Sequence, residues 1–217
     1  MNRDLETRAR LLAAAEQLFA DRGFKKVTVR DICRAARANV AAVNYHFGDK
    51  FGLYREVLQA VIRGMRTTND AARLAAEGRS PEERLRRWIE TFATCLLSAD
   101  FGRVHRLFQR EVGDPTPALD DVVEQGLRPR LDYLAGLIAD CLGAPPAAAE
   151  VKRCVGSIQT QILAYLPNPI AARIGMPSRP MNAADVAAAA GHIADFSIGG
   201  VRAVKSAKPA KKAKSAK

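Results

Sequence analysis

The side chains best suited to meet a partner are crowded into one short segment. Asn39, Asn44, Tyr45 and His46 are followed by Lys50, with Thr28 and Arg30 just upstream. Amides, a phenol, an imidazole and cations supply hydrogen-bond donors and acceptors, but they contain no nucleophile paired with a base. Such a set holds on to a polar surface and breaks no bonds. The rest of the chain has no G-x-S-x-G elbow, no Walker loop and no His/carboxylate cluster at ligand spacing. His105 and His192 are isolated, which suits structural or surface roles. Cys33, Cys95, Cys141 and Cys154 lie far apart in apolar helical contexts with no C-x-x-C pair, so buried, reduced thiols are expected. No catalytic residue, metal site or cofactor is expected.

The elements that must position the polar segment are two short helices. Thr28 is a cap for a first helix over Val29 to Ala36, with Val29, Ile32 and Cys33 on its buried side. A turn at Arg37 and Ala38 ends it. Asn39 then caps a second helix from Val40 to His46, which is too short to be stable alone and must be held by its neighbours. Its polar groups are too many for a core element. Two helices joined by a tight turn, the second presenting such groups, form a helix-turn-helix. The N-terminal end of the second helix should then meet base edges, which places Asn39, Val40, Ala41 and Asn44 on double-stranded DNA. Asparagine pairs with adenine, and small apolar groups meet a thymine methyl. Ala42 faces either the bases or the first helix. Val43 and Phe47 are assigned to the core.

Helical periodicity governs the rest of the chain, and no strand alternation stands out. Leu11, Leu12, Ala15, Leu18 and Phe19 share a face of a helix over 7–21 that Gly23 terminates. A long helix starts near Lys50 on Leu53, Tyr54, Val57, Leu58, Val61, Ile62 and Met65. Ser80 and Pro81 open another, and Pro129 lies inside a later one as a kink. Residues 167–180 form a Pro-rich loop with one turn at Ile170–Ile174, and Asn182 caps a last helix to Val204. The chain is expected to be all-α, with about nine helices. An N-terminal helix-turn-helix domain spans 1–50, a helical effector-binding and dimerisation domain 51–204, and a disordered Lys/Ala-rich tail 205–217.

The net charge of +11 is uneven: residues 205–217 carry +6, residues 1–56 carry +4, and the middle is left with +1. Basic ends around a neutral middle fit a protein whose N-terminal part meets a polyanion. The tail is either a solvated appendage or a sequence-blind, salt-sensitive attraction to phosphates. The N-terminus has no apolar signal core and no apolar run nears 18 residues, so no membrane span is expected and the chain should be cytoplasmic.

Phe19-Ala20-Asp21-Arg22-Gly23-Phe24, Thr28-Val29-Arg30-Asp31-Ile32 and Asn44-Tyr45-His46-Phe47-Gly48-Asp49-Lys50 with Leu53-Tyr54 together resemble the N-terminal domain of TetR/AcrR-type transcriptional regulators. The resemblance covers roughly residues 5–60. It implies phosphate contacts by Thr28, Arg30, Tyr45, His46 and Lys50. It also marks one departure: the family places Gly where Arg37 stands. Either the turn here avoids positive φ, or it is mildly strained. Arg110-Glu111 with Asp114-Pro115-Thr116-Pro117-Ala118-Leu119 resembles the CerR-type subgroup.

The resemblance further implies that the C-terminal region binds a small-molecule effector and forms a homodimer, through helices near 149–166 and 183–203. Trp88, Phe92, Phe108, Tyr133, Gln161 and Tyr165 are the candidates to line an apolar effector pocket, although aromatics at this spacing also suit a plain core. The function implied is a ligand-responsive repressor on a near-palindromic operator, with half-sites about 34–36 Å apart. Two other classes are weighed against it. An enzyme lacks a visible nucleophile–base pair. An architectural DNA-binding protein would coat DNA uniformly through its tail.

Overall fold

The computed structural model describes residues 2–97, 102–166, 173–175 and 181–207. Nine helices and no strand occur among the described residues. They are α1 (Asn2–Arg22), α2 (Val29–Ala36), α3 (Val40–Phe47), α4 (Lys50–Ala76), α5 (Pro81–Leu97) and α6 (Gly102–Gly113). A continuous α7 follows, running through Leu119–Val122, a π segment Val123–Leu127 and Arg128–Leu142. The last two are α8 (Ala149–Ala164) and α9 (Ala183–Ser206). The caps foreseen from sequence are in place. The side chains of Thr28, Asn39 and Asn182 accept from the N–H of Asp31, Ala41 and Asp185. The Ser80 N–H and hydroxyl both bond Glu83. Gly23 ends α1 at φ +80°. Two boundaries differ: α1 begins five residues earlier than expected, and α9 runs on to Ser206, past the Lys205 at which the tail was placed. The tail from 208 and most of the 167–180 loop, including the turn expected at Ile170, lie outside the described residues.

The chain divides into two compact units, and not at residue 50. The first comprises Met1–Thr67 and Asp100–Pro129, the second Thr68–Ala99 and Arg130–Lys217. The first half of α4 belongs to the first unit because Leu53, Tyr54, Val57, Leu58, Val61, Ile62 and Met65 are buried in one core with Leu11, Phe19, Ile32, Val43, Leu107 and Val122. The α6 helix joins the same unit through polar ties. Arg110 donates to the carbonyls of Asp21 (2.6 Å) and Ala20 (3.5 Å), the bare acceptors at the end of α1. Glu111 is fully buried. It accepts from the Tyr54 hydroxyl (2.5 Å), the Thr116 N–H (3.2 Å) and the Thr116 hydroxyl (3.1 Å), and burial and that carboxylate push the Tyr54 phenol far up. Asp114 pairs with Lys25. The Arg110–Leu119 motif therefore ties α6 and the following turn to α1 and α4.

Pro129 acts without breaking the helix. A proline has no N–H for the carbonyl four residues back. Here the π segment lies immediately before it, and the Gln125 carbonyl accepts instead from Arg66 Nε on α4 at 3.2 Å. Gly126 sits against α4 so closely that a Cβ there would lie 2.8 Å from Met65 Sδ.

In the second unit α9 packs on α5 and α8. Buried Trp88, Ile89, Leu134, Ile138, Ile158, Ile193 and Ile198 form much of its core. Arg84–Asp140, Arg86–Asp195 and Arg202–Glu82 pair around it. Among the described residues, no helix is long and apolar enough to cross a membrane and no acid/His/Cys group could hold a metal. Cys33, Cys141 and Cys154 are buried free thiols. Burial raises all three, Cys141 to about 11, which keeps them protonated.

Candidate nucleic-acid interface

The α3 helix is held from one side and open on the other. Val43 is fully buried, while Ala42 and Phe47 pack against the same core, so Ala42 takes the packing role of the two open to it. Arg8 of α1 lies over the Phe47 ring at 5.1 Å. The opposite side exposes Asn39, Val40, Ala41, Asn44 and Tyr45, with Tyr45 77% exposed. This cluster is rich in hydrogen-bond donors yet low in profile, because its centre is alanine and valine. It can approach the edge of a flat polar surface closely. The oxygen of Asn39 is spent on the Ala41 N–H at 3.0 Å, which leaves its amide hydrogens for a partner.

The residues assigned to phosphates divide into two groups. Arg30 and Tyr45 are exposed, and no ion pair or side-chain hydrogen bond holds Arg30 among the described residues. The other three are engaged inside the protein. Lys50 Nζ donates to the carbonyls of Phe24 and Val27, both at 3.1 Å, and sits 4.2 Å above the Phe24 ring. It pins the α1–α2 connection and keeps one hydrogen for other use. The His46 side chain is only 8% exposed and faces Asp4 of α1 at 3.3 Å, so it links α3 to α1. The Thr28 hydroxyl donates to Asp31 Oδ2 (2.6 Å) and accepts from the Asp31 N–H (3.2 Å) in a reciprocal cap. Those bonds hold the Asp31 carboxyl below its usual range.

Sequence reasoning left Arg37 open, and the backbone decides it. Arg37 adopts φ 50°, ψ 48°, the only positive φ outside glycine among the described residues. Its N–H bonds to the Arg34 carbonyl and the Ala38 N–H to the Cys33 carbonyl, the paired bonds that close a helix in the left-handed conformation. The turn is strained, and Arg34 and Arg37 are exposed, with no salt bridge to either among the described residues. Three exposed cations, Arg30, Arg34 and Arg37, therefore stand on α2 and the turn leading into α3, which fits a phosphate surface, Arg34 being partly offset by the Asp31 carboxyl that it helps to lower. Arg37→Gly is expected to stabilise the protein by about 0.5–1 kcal/mol in urea unfolding, since relief of the left-handed cost outweighs the glycine's added chain entropy. The same change should flatten the dependence of log affinity on log salt by about one unit.

The aromatic and polar residues proposed as an effector pocket do not assemble as one group. Trp88 and Phe92 do, stacked at 4.9 Å with planes 4° apart in the second unit. Tyr133 is half-buried beneath the Arg73 guanidinium, and Tyr165 is half-buried at the end of α8. Phe108 packs against the core of the first unit. Gln161 reaches across to Ser197 Oγ at 3.5 Å, joining α8 to α9. Arg130, absent from the sequence-based set, lies buried with its guanidinium 4.8 Å from the Phe92 ring. The periodicity carried that signal: Arg130 falls on the stripe of Leu134, Leu137, Ile138 and Cys141, where a charge is out of place.

Residues 11–57 match the family described as bacterial regulatory proteins, tetR family. Residues 81–201 match the family described as HTH-type transcriptional dual regulator CecR, C-terminal domain. Among curated relatives, CecR of Shigella flexneri is 29% identical over 169 residues, covering 74% of this chain and 75% of CecR. The HTH-type transcriptional regulator TtgR of Pseudomonas putida is 27% identical over 110 residues, covering 49% of this chain and 50% of TtgR. The chain thus spans about half the length of TtgR. Among solved structures, SCO3833 of Streptomyces coelicolor, a TetR-family member, superposes with TM-score 0.64 at 19% identity, covering 88% of this chain and 90% of that one. At that identity the likeness bears on the fold alone.

Proposed function

Since the chain belongs to the TetR family of bacterial regulatory proteins, which are DNA-binding transcriptional regulators and not enzymes, we propose that it is a cytoplasmic, homodimeric repressor that releases a near-palindromic operator when a small effector binds its second unit. One observation carries the reading: a short helix anchored by Val43 and Phe47 presents Asn39, Val40, Ala41, Asn44 and Tyr45 outward, flanked by three exposed arginines. Asn39, Val40, Ala41 and Asn44 are assigned to base edges. Arg30, Arg34, Arg37 and Tyr45 are assigned to phosphates, together with the remaining hydrogen of Lys50.

Dimerisation is assigned to α8 and α9. On α9 the exposed stripe Ala188, His192, Phe196, Gly199 and Ala203 contains no Asp, Glu, Lys or Arg, and Phe196 is 64% exposed. On α8 the neighbouring stripe is Gly156, Thr160, Leu163 and Ala164. Small side chains let a second copy's helices approach closely while the exposed Phe196 and Leu163 become buried. Phe196→Asp should give monomers by light scattering and weaken operator binding by about a hundredfold or more, because each half-site then binds alone.

Genomic footprinting of the purified protein tests the function as a whole. Protection at discrete, near-symmetric sites is expected, with each site abolished by Asn44→Ala. Uniform coating that disappears on removal of residues 205–217 would instead support an architectural role. Lys50→Ala is a poor probe of DNA contact, since it also frees the α1–α2 connection from its two carbonyl ties.

A further inference from the structure

Arg130 is a buried cation without a counter-charge. Its residue is 6% exposed, and no hydrogen bond or ion pair reaches its guanidinium among the described residues; Nε is enclosed and unsatisfied. Its one interaction is with the Phe92 ring at 4.8 Å. Stacked on the same ring at 4.9 Å lies Trp88, fully buried, whose indole Nε1–H is likewise enclosed without an acceptor. Proteins seldom leave such groups unpaired, because a desolvated charge is costly unless an anion or several acceptors meet it. Burial alone pulls the Arg130 guanidinium down to about 10, with no neighbouring charge acting on it in either direction. It therefore remains a cation at neutral pH. Two orphaned donors, one of them charged, thus belong to side chains that meet on a single aromatic ring.

We infer that the second unit binds a small organic anion, a carboxylate or phosphate ester, whose charged group is met by Arg130, with the Trp88 indole N–H as a second donor. This rests on the effector-responsive function proposed above and names the chemical class of the effector. A guanidinium suits both oxyanions because its N–H groups lie in a planar fork. Arg130 is also placed to report occupancy. It follows Pro129 directly and lies four residues beyond Gly126, on the same helix whose π segment is held to α4 by Arg66.

Trp88 is the sole tryptophan of the chain, so its fluorescence reads this site directly. The full-length protein is titrated with octanoate, benzoate and phenyl phosphate, and with the neutral octanamide and benzamide, at ionic strength fixed with sodium chloride. At least one anion is expected to shift Trp88 emission saturably and raise the melting temperature, with its neutral partner at least tenfold weaker. Separate responses to the carboxylates and to phenyl phosphate distinguish the two anion classes. Arg130→Met should melt at or above the parent temperature without ligand, since it removes an uncompensated buried charge, yet lose the anion response. The inference is overturned if no anion shifts Trp88 at millimolar concentration, if amides act as well as acids, or if Arg130→Met keeps the response. It is also overturned if Arg130→Met melts well below the parent, which marks Arg130 as a structural clamp on Phe92. Operator affinity is measured on the same samples. Anion binding through Arg130 with unchanged operator affinity would uphold the site and refute the effector-release function.

Discussion

Ala41→Glu is expected to leave the melting temperature unchanged or slightly raised and to lower operator affinity by about a hundredfold or more. Ala41 is exposed in the first turn of α3, where its N–H is already capped by Asn39. A carboxylate there interacts favourably with the positive end of the helix, worth about 0.3–1 kcal/mol. No core contact is lost, because Val43 and the partly buried Ala42 anchor the helix. Toward DNA the same carboxylate is a like charge beside phosphates and an unpaired acceptor beside base edges, two penalties that together amount to several kcal/mol. Thermal melts and fluorescence anisotropy on an operator fragment measure the two effects separately. A variant that is folded and still binds with parental affinity would show that α3 does not enter the groove.

Glu111→Ala is expected to cost about 3 kcal/mol in chemical denaturation followed by circular dichroism. The substitution strands the buried Tyr54 hydroxyl and both Thr116 donors, and an unsatisfied buried donor costs about 1–3 kcal/mol. Thr116 is only partly buried, so water can relieve some of its share. Glu111→Gln keeps one acceptor oxygen and should cost about 1 kcal/mol. Tyr54→Phe removes the stranded hydroxyl, so combining it with Glu111→Ala should recover about 1 kcal/mol relative to additive losses. Additivity within error would mean that the Tyr54–Glu111 bond contributes nothing in solution. The expected cost is large for a single side chain because this bond joins α4 to α6 across 57 residues of sequence. It helps to fix the part of α4 that follows α3.

The division of labour between Lys50, His46 and Arg37 shows where a one-dimensional reading stops. All three are cationic or titratable groups within or beside the helix-turn-helix, and by type each suits a phosphate. Lys50 and His46 find carbonyls and a carboxylate from α1 and its following loop, partners up to 42 positions away. Arg37 finds none among the described residues and stands exposed. Residue type alone cannot separate these cases, since the distinction is made by what lies opposite in space.

The helices and their ends are legible along the chain, because caps, left-handed terminators and the 3.6-residue apolar period act within a few residues. Thr28, Asn39, Ser80, Asn182 and Gly23 could be read directly for that reason. The helix-turn-helix was legible too, since a helix too short to stand alone and rich in polar groups must be held by its neighbours on one side. The division of the compact units within α4 and α7, the tie of α6 to α4 by Glu111, and the enclosure of Arg130 with no counter-charge among the described residues emerge only in the folded chain. Each of these depends on groups brought together from distant parts of the chain. The free energy of a buried polar group is set by the partner that meets it, or fails to, and that partner is not encoded in the group's own neighbourhood.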